Sequence, residues 1–134
     1  MKMKKGYKEL VSEAESAIET LSIEKAVSIL DDPDFQFVDI RDIRELQREG
    51  KIPGAHHAPR GMLEFWVDPE SPYHQDIFAQ ADKKYVLYCA GAWRSALAAQ
   101  TLQNMGMDNV CHIAGGFSAW KLAGAPIETV KKKQ

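Results

Sequence analysis

Three short runs rich in aromatic and β-branched residues recur along the chain: Phe35-Gln36-Phe37-Val38-Asp39-Ile40, Tyr85-Val86-Leu87-Tyr88-Cys89 and Asn109-Val110-Cys111-His112-Ile113. Each is followed by a turn and then by a helix-forming stretch. Such runs are short for helices and too continuously apolar for half-exposed strands, so they predict strands buried on both faces. Strands that alternate with helices imply crossover connections and a mostly parallel sheet flanked by helices on both faces. The expected fold class is α/β, a three-layer sandwich.

The remaining segments fill in this plan. Residues 8–17 carry Leu10, Val11, Ala14 and Ala17 at helical spacing, and residues 18–21 read as a short strand. Ser22 is an N-cap for a helix to about Leu30, with Ile23, Ala26, Val27 and Leu30 on one face. Asp31-Asp32-Pro33-Asp34 is a break. Residues 42–49 read as a charged helix closed by Gly50. Ile52-Pro53-Gly54-Ala55 is a turn into a strand at 55–58, a helical turn covers 60–67, and residues 68–72 are a loop. A helix over 94–105 stops at Gly106, and Gly115-Gly116 opens a last helix ending near Ala123.

The chain has 134 residues, enough for one core. It divides into a helical extension over 1–17, a single domain over 18–127 and a charged tail over 128–134. The formal net charge of −2 gives no general attraction to nucleic acid or an anionic membrane. Lys131-Lys132-Lys133 reads as a solvated end. The basic start, Met1 to Lys5, is followed by Glu9, Glu13 and Glu15 rather than by the apolar stretch of a signal peptide. No segment approaches the ~20 apolar residues of a membrane span, and the expected location is cytoplasmic. In a reducing compartment Cys89 and Cys111 are expected as free thiols, Cys111 as a core residue. His56, His57, His74 and His112 lack ligand spacing, so no metal is expected.

The chemistry concentrates in Tyr88-Cys89-Ala90-Gly91-Ala92-Trp93-Arg94-Ser95. Ligands of open α/β sheets sit beyond the carboxyl ends of strands, and Cys89 stands at such an end. The small residues Ala90, Gly91 and Ala92 let the loop curl with several N–H groups pointing inward, an anion-binding nest. The helix beginning near Arg94 adds unpaired N–H groups and the positive end of its dipole. Arg94 adds a permanent positive charge. All favour an anionic sulfur on Cys89, whether a thiolate or a persulfide.

This loop resembles the active-site loop of the rhodanese family, which begins with the sulfur-accepting cysteine. Phe37-Val38-Asp39-Ile40-Arg41 resembles that family's first central strand with its Asp-x-Arg ending. Gly50-Lys51-Ile52-Pro53-Gly54-Ala55 resembles its Gly-His-Ile-Pro-Gly-Ala turn, and His57-Ala58-Pro59-Arg60-Gly61 the segment after it. Gly115-Gly116-Phe117-Ser118-Ala119-Trp120 resembles the closing Gly-Gly-x-x-x-Trp helix start. The likeness covers about residues 18–127 and implies a rhodanese-like sandwich. It implies a sulfurtransferase that takes sulfane sulfur from thiosulfate or another persulfide source and passes it to a thiol or cyanide, with a protein acceptor also open and no cofactor. Cys89 would carry the sulfur and Arg94 would bind the anionic donor. Ala90, Gly91, Ala92, Trp93 and Ser95 would cradle it, while Asp39 and Arg41 organise the strand end. Arg60 would either face the pocket mouth or lie on the surface.

The chain departs from the family pattern at three positions. Ala92 stands where glycine is frequent, Ala90 where thiosulfate-using members often carry a basic residue, and Lys51 where histidine is usual. Thiosulfate is therefore expected to be a poor donor. Trp93 is expected to pack on Phe65 and Trp66, which would themselves cap a sheet edge; the alternative is that it walls the pocket mouth. Two other functions compete. A non-catalytic rhodanese-like binding module would keep the fold without needing Cys89. A cysteine phosphatase or arsenate reductase normally places five residues between cysteine and arginine, whereas here only Ala90, Gly91, Ala92 and Trp93 intervene.

Overall fold

The computed structural model describes residues 1–132. Five strands form one sheet in the order β1-β5-β4-β2-β3: β1 (Glu19–Leu21), β2 (Phe35–Asp39), β3 (His56–His57), β4 (Lys84–Tyr88) and β5 (Val110–Ile113). Every ladder is parallel. The helices are α1 (Tyr7–Ala17), α2 (Ile23–Ser28), α3 (Ile43–Glu49), α4 (Leu63–Val67), α5 (Trp93–Asn104) and α6 (Gly116–Leu122). No helix among the described residues is long and apolar enough to cross a membrane.

Strand alternation divides the core in two. Tyr85, Leu87 and Cys89 face a cluster with Val11 and Ala14 of α1, Leu63 of α4 and Ala98, Ala99 and Leu102 of α5. Val86 and Tyr88 face the other, with Ala26 of α2 and Phe117 and Trp120 of α6. Helices cover both faces, as the run of apolar strand residues requires. The extension is part of this packing, since α1 lies along α5 and buries Val11 and Ala14.

Side-chain caps set the starts of two helices. Ser22 Oγ accepts the Lys25 N–H at the start of α2. Asp42 and Glu45 form a reciprocal capping box at α3. The apolar face expected for α2 needs one correction. Val27 is 36% exposed, whereas Ile29 is 4% exposed. The helix ends at Ser28, and the following turn rather than the helical period places Ile29 inward. A 3₁₀ turn over Asp76–Phe78, which sends Phe78 into the core, has no periodic signal in the sequence.

Near the carboxyl end, Lys51 and Glu128 form an isolated antiparallel bridge with backbone bonds of 2.9 and 2.8 Å. The expected tail is thus tied down at its first residue. Lys133 and Gln134 lie outside the described residues.

The end of β2 is fixed by a buried ion pair. Arg41 and Asp39 are both 0% exposed. Arg41 Nη2 lies 2.7 Å from Asp39 Oδ2 and donates at 2.7 Å to the Gly50 carbonyl, while Nε donates to Asp39 Oδ1 at 3.0 Å. The guanidinium also lies over the Phe117 ring, 4.2 Å from its centroid. Replacing Asp39 with alanine would leave that cation buried and unpaired, a loss of about 3–5 kcal/mol for comparable pairs. The Asp39→Ala protein is expected to unfold at a much lower urea midpoint with an unchanged slope, measured by circular dichroism.

Candidate active site

The strand order puts the carboxyl ends of β2 and β4 side by side, with Asp39 opposite Tyr88. From β2 the chain leaves toward β3; from β4 it leaves toward β5. The two loops diverge and open a crevice between them, the position at which open α/β sheets hold ligands. The β4 loop carries Cys89 to Ala92 and leads into α5; the β2 loop leads into α3 and carries Glu45 to the same place.

Within the β4 loop, Ala92 is the N-cap of α5 and has φ +77°. It is the one non-glycine residue in the left-handed region among the described residues. This conformation costs an alanine roughly 1 kcal/mol relative to glycine. It turns the chain sharply enough for the Ser95 N–H to reach back to Cys89 Sγ at 3.4 Å. Gly91 has no left-handed φ, so the left-handed bend falls on Ala92, the position where the family often carries glycine.

The start of α6 holds the loop from the other side. Phe117 N–H donates to the Cys89 carbonyl at 2.8 Å, and Ser118 N–H to the Ala90 carbonyl at 3.0 Å. A Cβ on Gly116 would lie 2.5 Å from the Cys89 oxygen and 2.8 Å from that of Ala90, and its φ is +58°. Because peptide units are planar and trans, carbonyls turned toward α6 turn the N–H groups of Ala90 and Gly91 away from it. Those N–H groups and that of Ala92 meet no acceptor among the described residues.

Cys89 is 1% exposed and packs in the α1/α5 core cluster. Besides the Ser95 N–H, its Sγ lies 3.6 Å from Ser95 Oγ. A cavity of about 340 Å³ reaches it and is lined by Cys89, Gly91, Trp93 and Arg94. A larger one, about 630 Å³, involves Met105 and Met107 beyond the far end of α5 and contains none of these groups.

The expected site residues separate in space. Arg94 lines the cavity but makes a two-pronged pair with Glu45, Nη1 to Oε2 at 2.9 Å and Nη2 to Oε1 at 3.0 Å. Glu45 also accepts the Asp42 N–H at 3.0 Å. The pair raises the Arg94 pKa and lowers that of Glu45. Arg60 pairs with Glu64 at 2.6 Å and is not among the residues lining the cavity. Asp39 and Arg41 lie beneath the crevice, wholly buried. The expected packing of Trp93 on Phe65 and Trp66 is corrected: its ring, 57% exposed, meets Tyr7 of α1 at 4.9 Å between centroids. Docking of α1 along α5 brings Tyr7 to the first residue of α5, while Phe65 stays exposed.

One neighbour was not anticipated. His112 is 1% exposed, with Nδ1 2.9 Å from Ser95 Oγ and Nε2 3.0 Å from Thr20 Oγ1. A polar residue inside an otherwise apolar strand was the available signal. Cys111, on the opposite face, has its thiol pushed up to about 12 by burial.

Residues 22–123 match the rhodanese-like domain model. The chain belongs to this family. It is 34% identical over 110 residues to the thiosulfate sulfurtransferase GlpE of Shewanella oneidensis, covering 82% of this chain and 99% of that protein. A solved structure of a Rhodopseudomonas palustris protein of unknown function, described as a possible tyrosine phosphatase, is 53% identical with a TM-score of 0.92 and covers 96% of this chain and 98% of its own. An uncharacterized Synechocystis protein is 47% identical over 66 residues, 48% of this chain. The chain spans 36% of the length of that relative and 62% of a mouse rhodanese-like relative.

Two consequences follow from this geometry in the rhodanese-like domain. Gly116→Ala is expected to displace the Cys89 loop, lowering Tm and slowing any reaction at Cys89, measured by thermal melts and alkylation. Burial also lowers the His112 pKa from 6.5 to about 4. The unfolded chain therefore takes up a proton below about pH 6.5 while the folded chain stays neutral until about pH 4. The contribution of His112 to stability is full above pH 6.5 and is expected to fall by up to roughly 3 kcal/mol on acidification to pH 4. Denaturant titrations across this range are expected to show a shallower acid slope in His112→Asn.

Proposed function

We propose that this rhodanese-like domain is a sulfurtransferase that carries sulfane sulfur as a persulfide on Cys89. The observation that carries the reading is a single cysteine beneath a cavity, with the Ser95 N–H on its sulfur, in a loop whose Ala90, Gly91 and Ala92 N–H groups meet no acceptor among the described residues. The Cys89 thiolate attacks the donor's outer sulfur. The donor's S–S bond breaks, and its electron pair leaves with the remainder, a thiolate from a persulfide or sulfite from thiosulfate. An acceptor, a thiol in the cell or cyanide in an assay, then attacks the outer sulfur of the Cys89 persulfide and returns the thiolate. Both steps exchange one S–S bond for another bond to sulfur and need no cofactor. The proposed setting is a reducing cytoplasm, where Cys89 stays a thiol; a protein thiol is a further possible acceptor.

The Glu45–Arg94 pair favours a donor of low charge. With its guanidinium engaged by a carboxylate, Arg94 offers little net attraction to a dianion such as thiosulfate, and Ala90 supplies no second cation. Small-molecule persulfides are the better match. Similarity to GlpE supports the reaction class.

The possible tyrosine phosphatase among the structural neighbours raises the rival chemistry. Arg94 is already engaged, and the cavity lining contains no carboxylic acid to protonate a leaving alkoxide or phenoxide. An aryl phosphate is expected to show no turnover.

Intact-mass analysis after incubation with a small persulfide is expected to show a gain of one sulfur atom, lost on adding cyanide. Cys89→Ala is expected to show neither gain nor turnover; transfer at the normal rate in this variant would refute the assignment. Glu45→Gln is expected to raise kcat/KM for thiosulfate roughly fivefold, about 1 kcal/mol of charge attraction at a solvent-open mouth, with little change for a neutral donor.

A further inference from the structure

Behind the cavity a row of polar groups runs through the interior from the sulfur to the edge of the sheet. Cys89 Sγ lies 3.6 Å from Ser95 Oγ, which lies 2.9 Å from His112 Nδ1; His112 Nε2 lies 3.0 Å from Thr20 Oγ1. Cys89, Ser95 and His112 are each at most 1% exposed, whereas Thr20, on the edge strand β1, is exposed. We propose that His112 is a positioning residue that acts through Ser95, holding the serine hydroxyl as a hydrogen-bond donor to the anionic sulfur of Cys89. This rests on the reading of Cys89 as the sulfur carrier.

A serine hydroxyl has one proton and two acceptor lone pairs. Three acceptors surround that proton: Cys89 Sγ, His112 Nδ1 and the Ala92 carbonyl, 3.3 Å from Ser95 Oγ. Its direction depends on what Nδ1 is doing. Burial keeps the imidazole neutral near pH 7, so one ring nitrogen donates and the other accepts. With the proton on Nδ1, the ring donates to Ser95 Oγ and Thr20 donates to Nε2. Nδ1 no longer accepts, and the serine proton is left to Sγ or the Ala92 carbonyl. An anionic sulfur is the stronger of these acceptors, because hydrogen bonds to ionised partners are roughly twice as strong as neutral ones.

When the sulfur is a thiol, the same row runs the other way: S–H to Oγ, Oγ–H to Nδ1, and Nε2–H to Thr20. As the sulfur gives up its proton, each proton of the row moves one place toward Thr20, whose exposed hydroxyl passes one to solvent; the imidazole stays neutral, and the only charge that appears is on the sulfur. Only a side chain that can both donate and accept fits both states. The charged groups facing Cys89 from the other side are Arg94 and its partner Glu45. No charged side chain bonds to His112 among the described residues.

The test is the rate at which iodoacetamide, a neutral reagent, alkylates Cys89 between about pH 5 and about pH 9. It needs no sulfur donor. Failure to form a persulfide would refute the proposed function and leave this measurement readable. Ser95→Ala and His112→Leu are each expected to slow alkylation near neutral pH roughly three- to tenfold. Both are expected to move the profile to higher pH with the same limiting rate. Because His112 acts through Ser95, the double variant should be no slower than Ser95→Ala alone. His112→Asn, whose amide falls near the place of Nδ1, is expected to keep most of the wild-type rate. His112→Gln, whose amide falls nearer Nε2, is expected to lose it. That pair carries the test if His112→Leu does not fold. A wild-type profile in His112→Leu, fully additive effects in the double variant, or equal rates in the Asn and Gln variants would overturn the proposal.

Discussion

A guanidinium with no access to water has to be surrounded by partners, and Arg41 draws its partners from three parts of the chain. Asp39 comes from the strand, Phe117 from α6, and both Gly50 and Glu49, the latter 3.7 Å from Nη1, from the end of α3. Desolvation opposes the charge, and the pairing with Asp39 outweighs it, leaving the Arg41 pKa raised. The burden falls on geometry: a shift of the β2 loop, α3 or α6 would strand the cation. Phe117, pinned beneath Arg41, is also the residue whose N–H holds the Cys89 carbonyl. The buried pair and the reactive loop are one mechanical unit joined through a single aromatic residue.

The division of labour around the sulfur follows from that frame. The β4 loop supplies the proposed nucleophile and α6 supplies the orientation, because a glycine allows backbone to touch backbone. α3 supplies a carboxylate that tempers the arginine. The site is strongly constrained below, where Gly116 and Phe117 grip the loop, and less so at its mouth, where Trp93 is largely exposed. This fits a carrier that must hold one sulfur atom closely while meeting donors and acceptors of differing shape.

Much of this was legible in the sequence wherever the cause is local. The apolar strand runs, the Ser22 and Asp42 caps, the small-residue loop after Cys89 and the Gly115-Gly116 turn each depend on neighbours within a few residues. What was not legible depends on pairing across the fold. Glu45 and Arg94 are 49 residues apart, and Ser95 and His112 are 17 apart; no periodicity links either pair. Val27 and Ile29 exchanged roles because one turn ended earlier than the apolar pattern suggested. Ala92 shows the converse: the missing glycine was visible, but only the backbone dihedral shows that the alanine itself takes a left-handed bend.

The contact between Tyr7 and Trp93 joins a helix outside the family segment to the mouth of the cavity. Trp93 lies inside the segment that matches the family, residues 22–123, and lines the cavity; Tyr7 lies outside that segment. The entrance to the Cys89 cavity is therefore buttressed by a helix that lies outside the family segment. A change on α1 that moves Tyr7 would thus reach the entrance through Trp93 without touching the loop, the glycines or the buried ion pair beneath it.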